Sequence, residues 1–97
     1  MIVEHALLSV KPGESAAFEA AIAQARPLIA GSPGFHSIEV RPAAETKDRY
    51  LLRVAWTDIA AHRDRFRKSA RYEEWRALLH HFYDPMPSVE YYGESII

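Results

Sequence analysis

The chain has 97 residues, 48% apolar and 26% charged, with twelve basic against thirteen acidic side chains and no cysteine. That length holds one domain, residues 1–97, and the composition is that of an ordinary globular protein. The balanced charge leaves no basic stripe for a phosphate backbone or an anionic bilayer, and the lack of cysteine excludes disulfides, thiolate metal sites and cysteine nucleophiles.

Ile2 to Val10 is aliphatic and β-branched and stops at Lys11-Pro12-Gly13, so it is predicted as a first strand. Its acidic Glu4 and missing basic leader do not fit a signal peptide, and no stretch reaches the ~18 consecutive apolar residues of a membrane span; a cytoplasmic protein is expected. Both alternating sets of this strand are largely apolar, which suits a central position. Ser15 is the expected cap of a helix whose Phe18, Ile22, Ala25 and Ile29 fall at helical spacing, with Pro27 expected to kink or loosen it before Gly31-Ser32-Pro33-Gly34.

Phe35 to Arg41 alternates Phe35, Ser37, Glu39, Arg41 against His36, Ile38, Val40, the pattern of a half-buried edge strand. A polar hairpin leads to a third strand, Arg49 to Thr57, with Tyr50, Leu52, Val54 and Trp56 on one face. Asp58 is placed to cap a short helix with Ile59, His62 and Phe66 inward. A longer helix follows, from about Ala70 to Phe82, with Tyr72, Trp75, Arg76 and Leu79 on one face. A last strand runs from Ser88 to about Gly93.

The order β-α-β-β-α-β, with a split second helix, is the α+β ferredoxin-like arrangement, in which strands 1 and 3 are central. Helices cover one side of such a sheet. Ile2, Ala6, Leu8, Leu51 and Ala55 are assigned to the other side, and an apolar patch there implies a homodimer with sheets packed face to face.

EHALLSVKPG (Glu4 to Gly13), SPGF (Ser32 to Phe35), YLLRVAW (Tyr50 to Trp56) and H-x3-F-x2-S-x2-Y-x2-WR (His62 to Arg76) resemble antibiotic biosynthesis monooxygenase (ABM) domains over essentially the whole chain. The resemblance implies a dimeric α+β barrel with a pocket between the helices and the sheet. In cofactor-independent members that pocket holds a quinol or anthrone oxidised by O₂. Haem-degrading proteins of similar fold use an Asn on strand 1, a Trp ending strand 3 and a His on the last helix. Here those positions read His5, Trp56 and Arg76, with His80 or His62 as substitute ligands, so no cofactor is the primary expectation.

Cofactor-free oxygenation needs a base, because a phenolate gives an electron to O₂ far more readily than the neutral phenol does. Histidine titrates closest to neutral pH, which makes His5 and His62 the candidate bases. Trp56, Phe66, Tyr72 and Trp75 are the candidate walls for a small aromatic ligand, with His80 beside them, and Arg76 the candidate anion holder. Each has a structural alternative: a hydrogen-bonded core histidine, an aromatic core, an ion pair of Arg76 with Glu4, Glu73 or Glu90. No H-x-H or H-E-x-x-H spacing points to a metal. A non-catalytic binder, an isomerase using the same pocket for proton transfer, and a purely structural dimer remain the other classes.

Overall fold

The structure is a computed structural model describing residues 1–97. Its order is β1 (Ile2–Ser9), α1 (Ser15–Ala30), β2 (Phe35–Pro42), β3 (Arg49–Trp56), a π-helical turn (Ala61–Phe66), α2 (Ala70–Leu79), a 3-10 turn (His80–Phe82) and β4 (Glu90–Tyr92). The four strands form one antiparallel sheet in the order β2-β3-β1-β4, so the fold is α+β and ferredoxin-like, with β1 and β3 central. No helix is long and apolar enough to cross a membrane.

The core lies between the helices and one face of the sheet. Tyr50, Leu52, Val54 and Trp56 of β3 are buried there with Phe18, Ala25 and Ile29 of α1 and Trp75 and Leu79 of α2. Full burial of a large apolar side chain contributes roughly 1.5–3 kcal/mol, so this layer dominates the stability. Ser69 caps α2, its Oγ accepting from the Tyr72 amide at 3.2 Å. Ser15 caps nothing: Glu14 holds the cap position of α1, and the Ser15 hydroxyl donates to Asp48 across the β2–β3 connection. Pro27 leaves the helix running to Ala30, because the one carbonyl it orphans belongs to the exposed Ala23, where water can replace the lost donor.

The phase of β1 differs from the sequence expectation. The register pairs Ile2 with Trp56, Glu4 with Val54, Ala6 with Leu52 and Leu8 with Tyr50. Residues directly opposite share a face, so the even-numbered set turns toward the helices. Ala6 and Leu8 are therefore core, each 1% exposed, and do not belong to the outer patch. The outer face carries Val3, His5 and Leu7 beside Leu51, Arg53 and Ala55, with His5 opposite Arg53.

β2 also departs from simple alternation. Its register slips between Phe35 and Ser37, so Phe35 pairs with Trp56 while Ile38 and Val40 pair with Val54 and Leu52. The bulge absorbs His36 and puts Phe35, Ile38 and Val40 on one inward face, where the Phe35 ring meets Trp56 edge-on at 5.9 Å. Just before it, Gly34 adopts a φ of +87°, and a Cβ there would lie 2.6 Å from the Ala61 Cβ. This close approach lets the π-helical turn press against the end of the sheet.

Candidate functional site

Glu4 sits in the middle of the inward face of β1 and is 4% exposed. An isolated carboxylate in that position would be costly, and two neighbours on adjacent elements compensate. Trp56, the last residue of β3, donates its indole N–H to Glu4 Oε1 at 3.0 Å. His62, 3% exposed, places Nε2 3.4 Å from the same oxygen, an ion-pair contact longer than a good hydrogen bond. Across β4, Tyr91 pairs opposite Glu4, and its hydroxyl lies 2.7 Å from His62 Nδ1.

Local structure fixes His62. Asp58 Oδ1 accepts from the Ala61 amide at 2.8 Å, the capping role its sequence position predicts. At the other end the Arg67 amide donates to the His62 carbonyl at 3.0 Å, a five-residue closure of the π type. The imidazole lies over Trp56, ring centres 5.4 Å apart and tilted 36°, and Phe66 packs on both rings.

Burial sets the protonation of this group. It pushes the Glu4 carboxyl up to about 7 from an ordinary 4.5, against the Trp56 hydrogen bond and the Arg67 charge, which both pull it down. Burial, aided by the Arg67 charge, pushes His62 down to about 4. Near neutral pH His62 is therefore uncharged and Glu4 is the group that exchanges a proton. When Glu4 is ionised, neutral His62 turns Nε2–H toward the carboxylate and its Nδ1 accepts from Tyr91 O–H. When Glu4 is protonated, the other tautomer can accept at Nε2 and donate from Nδ1 to the Tyr91 oxygen.

Glu4 and His62 form the buried end of a cavity of about 90 Å³. Ala6, Leu8 and Leu52 from the sheet, Tyr72 and Trp75 from α2, and His80 and Tyr83 beyond it line the cavity, and Arg67 and Met86 stand on its exposed side. Burial pushes the Tyr83 hydroxyl up and, with the Arg76 and Arg67 charges, pushes His80 down. No three His, Asp or Glu side chains converge as a metal-binding set.

Of the residues singled out from sequence, His62, Tyr72, Trp75 and His80 line this cavity. Trp56 and Phe66 stand behind it, Trp56 bonded to Glu4 and Phe66 packed edge-on against Tyr72 and Trp75. Two expectations are corrected. His5 does not face the helices with Trp56; it lies on the outer sheet face, edge-on to Tyr92 at 5.6 Å, because the β1 register turns odd-numbered residues outward. Arg76 is exposed and pairs with Glu73 at 3.7 Å, so it holds no group in the cavity.

Arg67 occupies the cavity edge instead. The sequence reading also missed Glu4 and Tyr91. Glu4 carried a signal: it is the one charged residue in the apolar set Ile2, Ala6, Leu8, Val10 of a central strand. A haem group does not fit this site: His5 and Arg76 lie outside the cavity, His62 has both ring nitrogens against Glu4 and Tyr91, and although His80 lines the cavity, 90 Å³ is far below the volume of a porphyrin.

The sequence profile of the family described as antibiotic biosynthesis monooxygenase matches residues 1–78. YczJ, an uncharacterised protein of Bacillus subtilis, is 41% identical over 94 residues, which is 97% of this chain and 99% of that one. A solved structure of a candidate antibiotic biosynthesis monooxygenase from Bordetella bronchiseptica superposes with a TM-score of 0.93 at 37% identity, covering 98% of this chain and 97% of the other. SnoaB, a cofactor-independent oxygenase from Streptomyces nogalater, shares the fold at a TM-score of 0.81 and 17% identity, over 96% and 91% of the two chains. Through the match over residues 1–78 and the identity to these relatives, the chain belongs to the antibiotic biosynthesis monooxygenase family.

Proposed function

We propose that the protein is a cofactor-independent monooxygenase that oxidises a small phenol or quinol with O₂, with Glu4 as the base and His62 as its neutral partner. The observation that carries this reading is a buried carboxylate in contact with an uncharged histidine at the inner end of a cavity walled by aromatic rings. The family description supports it, and SnoaB supplies a precedent for such chemistry on this fold.

For a hydroquinone the steps balance without another reactant. Glu4, ionised, takes the phenolic proton. The phenolate passes one electron to O₂, and the semiquinone and superoxide combine at a ring carbon. The proton held by Glu4 returns to the peroxide. That carbon then gives up its hydrogen as a proton while the O–O bond breaks, and the departing hydroxide takes up this proton as water. A carbonyl is left on the carbon, so one oxygen atom enters the ring and the other leaves as water. Apolar walls and Trp75 keep solvent from the anion. At about 90 Å³ the cavity admits a single ring only when its open side yields, and it leaves no room for the three fused rings of an anthrone.

The outer sheet face, with Val3, Leu7, Leu51, Ala55 and Tyr92 around His5, is the surface we assign to a homodimer packed sheet to sheet; Leu7 and Tyr92 are each 51% exposed. One observation favours a second reading, an isomerase: the Glu4–His62 pair can return a proton to a different substrate atom with no net change of charge.

Oxygen uptake with a panel of single-ring quinols tests the proposal. Uptake above autoxidation is expected, rising as pH passes about 7 and Glu4 ionises. Glu4→Gln should lower it by roughly 10²-fold or more, the usual contribution of a positioned base. His62→Ala should reduce it in a protein that still folds. Equal turnover in wild type and Glu4→Gln would rule Glu4 out as the base, and no uptake at all would move the weight to the isomerase.

A further inference from the structure

Arg67 is the cavity residue that neither the core nor the ion-pair pattern accounts for. Its guanidinium makes no hydrogen bond or salt bridge within the chain. Arg41, Arg53, Arg63, Arg65 and Arg76 each pair with a carboxylate, and of the unpaired arginines Arg26, Arg49, Arg67 and Arg71 only Arg67 lines this cavity. It is exposed to solvent yet stands at the cavity wall, and its charge reaches Glu4, His62, His80 and Tyr91. The remaining lining is apolar or aromatic apart from Glu4 at the buried end and the histidines. The cavity is thus polarised: a proton acceptor inside, a flat apolar middle and an unpaired cation at the open edge.

Its size adds a constraint. About 90 Å³ is less than the ~150 Å³ of a cavity that holds one benzene. The wall able to yield is on the open side, where Met86 is 54% exposed and has a flexible thioether chain. Arg67 lines the same cavity as Glu4 and Trp75 and is exposed, so a ring with its phenolic end at Glu4 can offer a substituent on the open side to Arg67. A guanidinium fork at that point matches a carboxylate or another planar oxyanion.

We infer that the ligand of this cavity is a single-ring phenol bearing an anionic substituent, a hydroxybenzoate-type acid, with Arg67 as the specificity-determining residue. The inference rests on the proposed function for the phenolic end of the ligand and on Arg67 alone for the anionic end. Arg67 carries no proton itself, although its charge helps hold down the Glu4 pKa; the test is therefore one of binding.

Calorimetric titration with 3-hydroxybenzoate and its neutral isostere 3-hydroxybenzamide tests it without any turnover. The acid is expected to bind roughly tenfold tighter, the value of one charge-assisted contact at a partly desolvated edge. Arg67→Gln should abolish that preference while leaving the amide's Kd within about twofold, and Arg67→Lys should restore part of it as a charge without the fork. Equal affinities in the wild type, a preference that survives in Arg67→Gln, or no binding of either probe at millimolar concentration would each overturn the inference. Oxygen uptake separates the two claims. Equal kcat/KM for hydroquinone and 2,5-dihydroxybenzoate would keep the oxygenase and overturn the anionic ligand, whereas selective binding without uptake would do the reverse.

Discussion

Replacing Glu4 by Gln should change how stability depends on pH more than it changes stability itself. Gln keeps the shape and a carbonyl oxygen to accept from Trp56, so the hydrogen bond at 3.0 Å can survive. What goes is a carboxyl whose folded pKa is raised from 4.5 to about 7. The folded state then holds the Glu4 proton more tightly than the unfolded chain does. Glu4 therefore contributes stability in full below pH 4.5, and that contribution is lost as pH rises through about 7. At ~1.4 kcal/mol for each tenfold, the loss is on the order of 3 kcal/mol.

His62 runs the other way. Its folded pKa is depressed from 6.5 to about 4, so its contribution is complete above 6.5 and lost as pH falls to about 4. Between roughly pH 4.5 and 6.5 the two slopes oppose each other, and the wild type should show little pH dependence from this pair. Glu4→Gln removes one arm. Urea unfolding at half-unit steps from pH 4.5 to 7.5, at fixed protein concentration so that association does not intrude, should show the variant gaining on the wild type. The gain should be ~1.4 kcal/mol per pH unit, on the order of 3 kcal/mol in all. His62→Gln removes the other arm and should gain relative to the wild type as pH falls from 6.5 toward 4. A Glu4→Gln difference that does not vary with pH would mean that Glu4 ionises normally in the fold, and the base assignment would fall with it.

Gly34→Ala places a Cβ 2.6 Å from Ala61 at a φ of +87°, and is expected to destabilise by about 1–3 kcal/mol and to lower affinity for any cavity ligand, since Ala61 precedes His62; thermal melts and the calorimetric titration read both. Leu7→Arg puts a charge at the centre of the outer sheet face, and should convert a dimer to a monomer by analytical ultracentrifugation with unchanged circular dichroism; a dimer that persists would place the interface elsewhere.

Where one strong periodicity dominates a segment, its structure was readable. The spacing of Phe18, Ala25 and Ile29 placed α1, and the alternation of Tyr50, Leu52, Val54 and Trp56 placed the inward face of β3. Where two patterns compete, sequence could not choose. Both alternating sets of β1 are apolar, so its phase is fixed only by the pairing of Glu4 with Val54 and Ala6 with Leu52. Arg76 fits the spacing from Tyr72 to Leu79, but so does Leu78 from Trp75. The helix turns Leu78 toward the core and leaves Arg76 in solvent. The bulge at His36 and the π turn that brings in Arg67 depend on contacts between distant segments, which no local pattern encodes.

The phase of β1 decides more than packing, because it selects which of two adjacent titratable residues enters the core. Burial disfavours the charged form of either type, and that acts in opposite senses on their usefulness as bases. It carries a carboxyl up toward neutral pH and an imidazole down away from it. His62 shows the second effect, at about 4, and Glu4 the first, at about 7. With His5 inward, the site would hold two histidines weakened as bases and nothing titrating near pH 7. With Glu4 inward, the same desolvation that costs the fold stability raises the proposed base toward neutral pH, while the Trp56 hydrogen bond and the Arg67 charge hold its pKa from rising further. The carboxylate, rather than either histidine proposed from sequence, is thus the group whose environment matches proton abstraction at neutral pH.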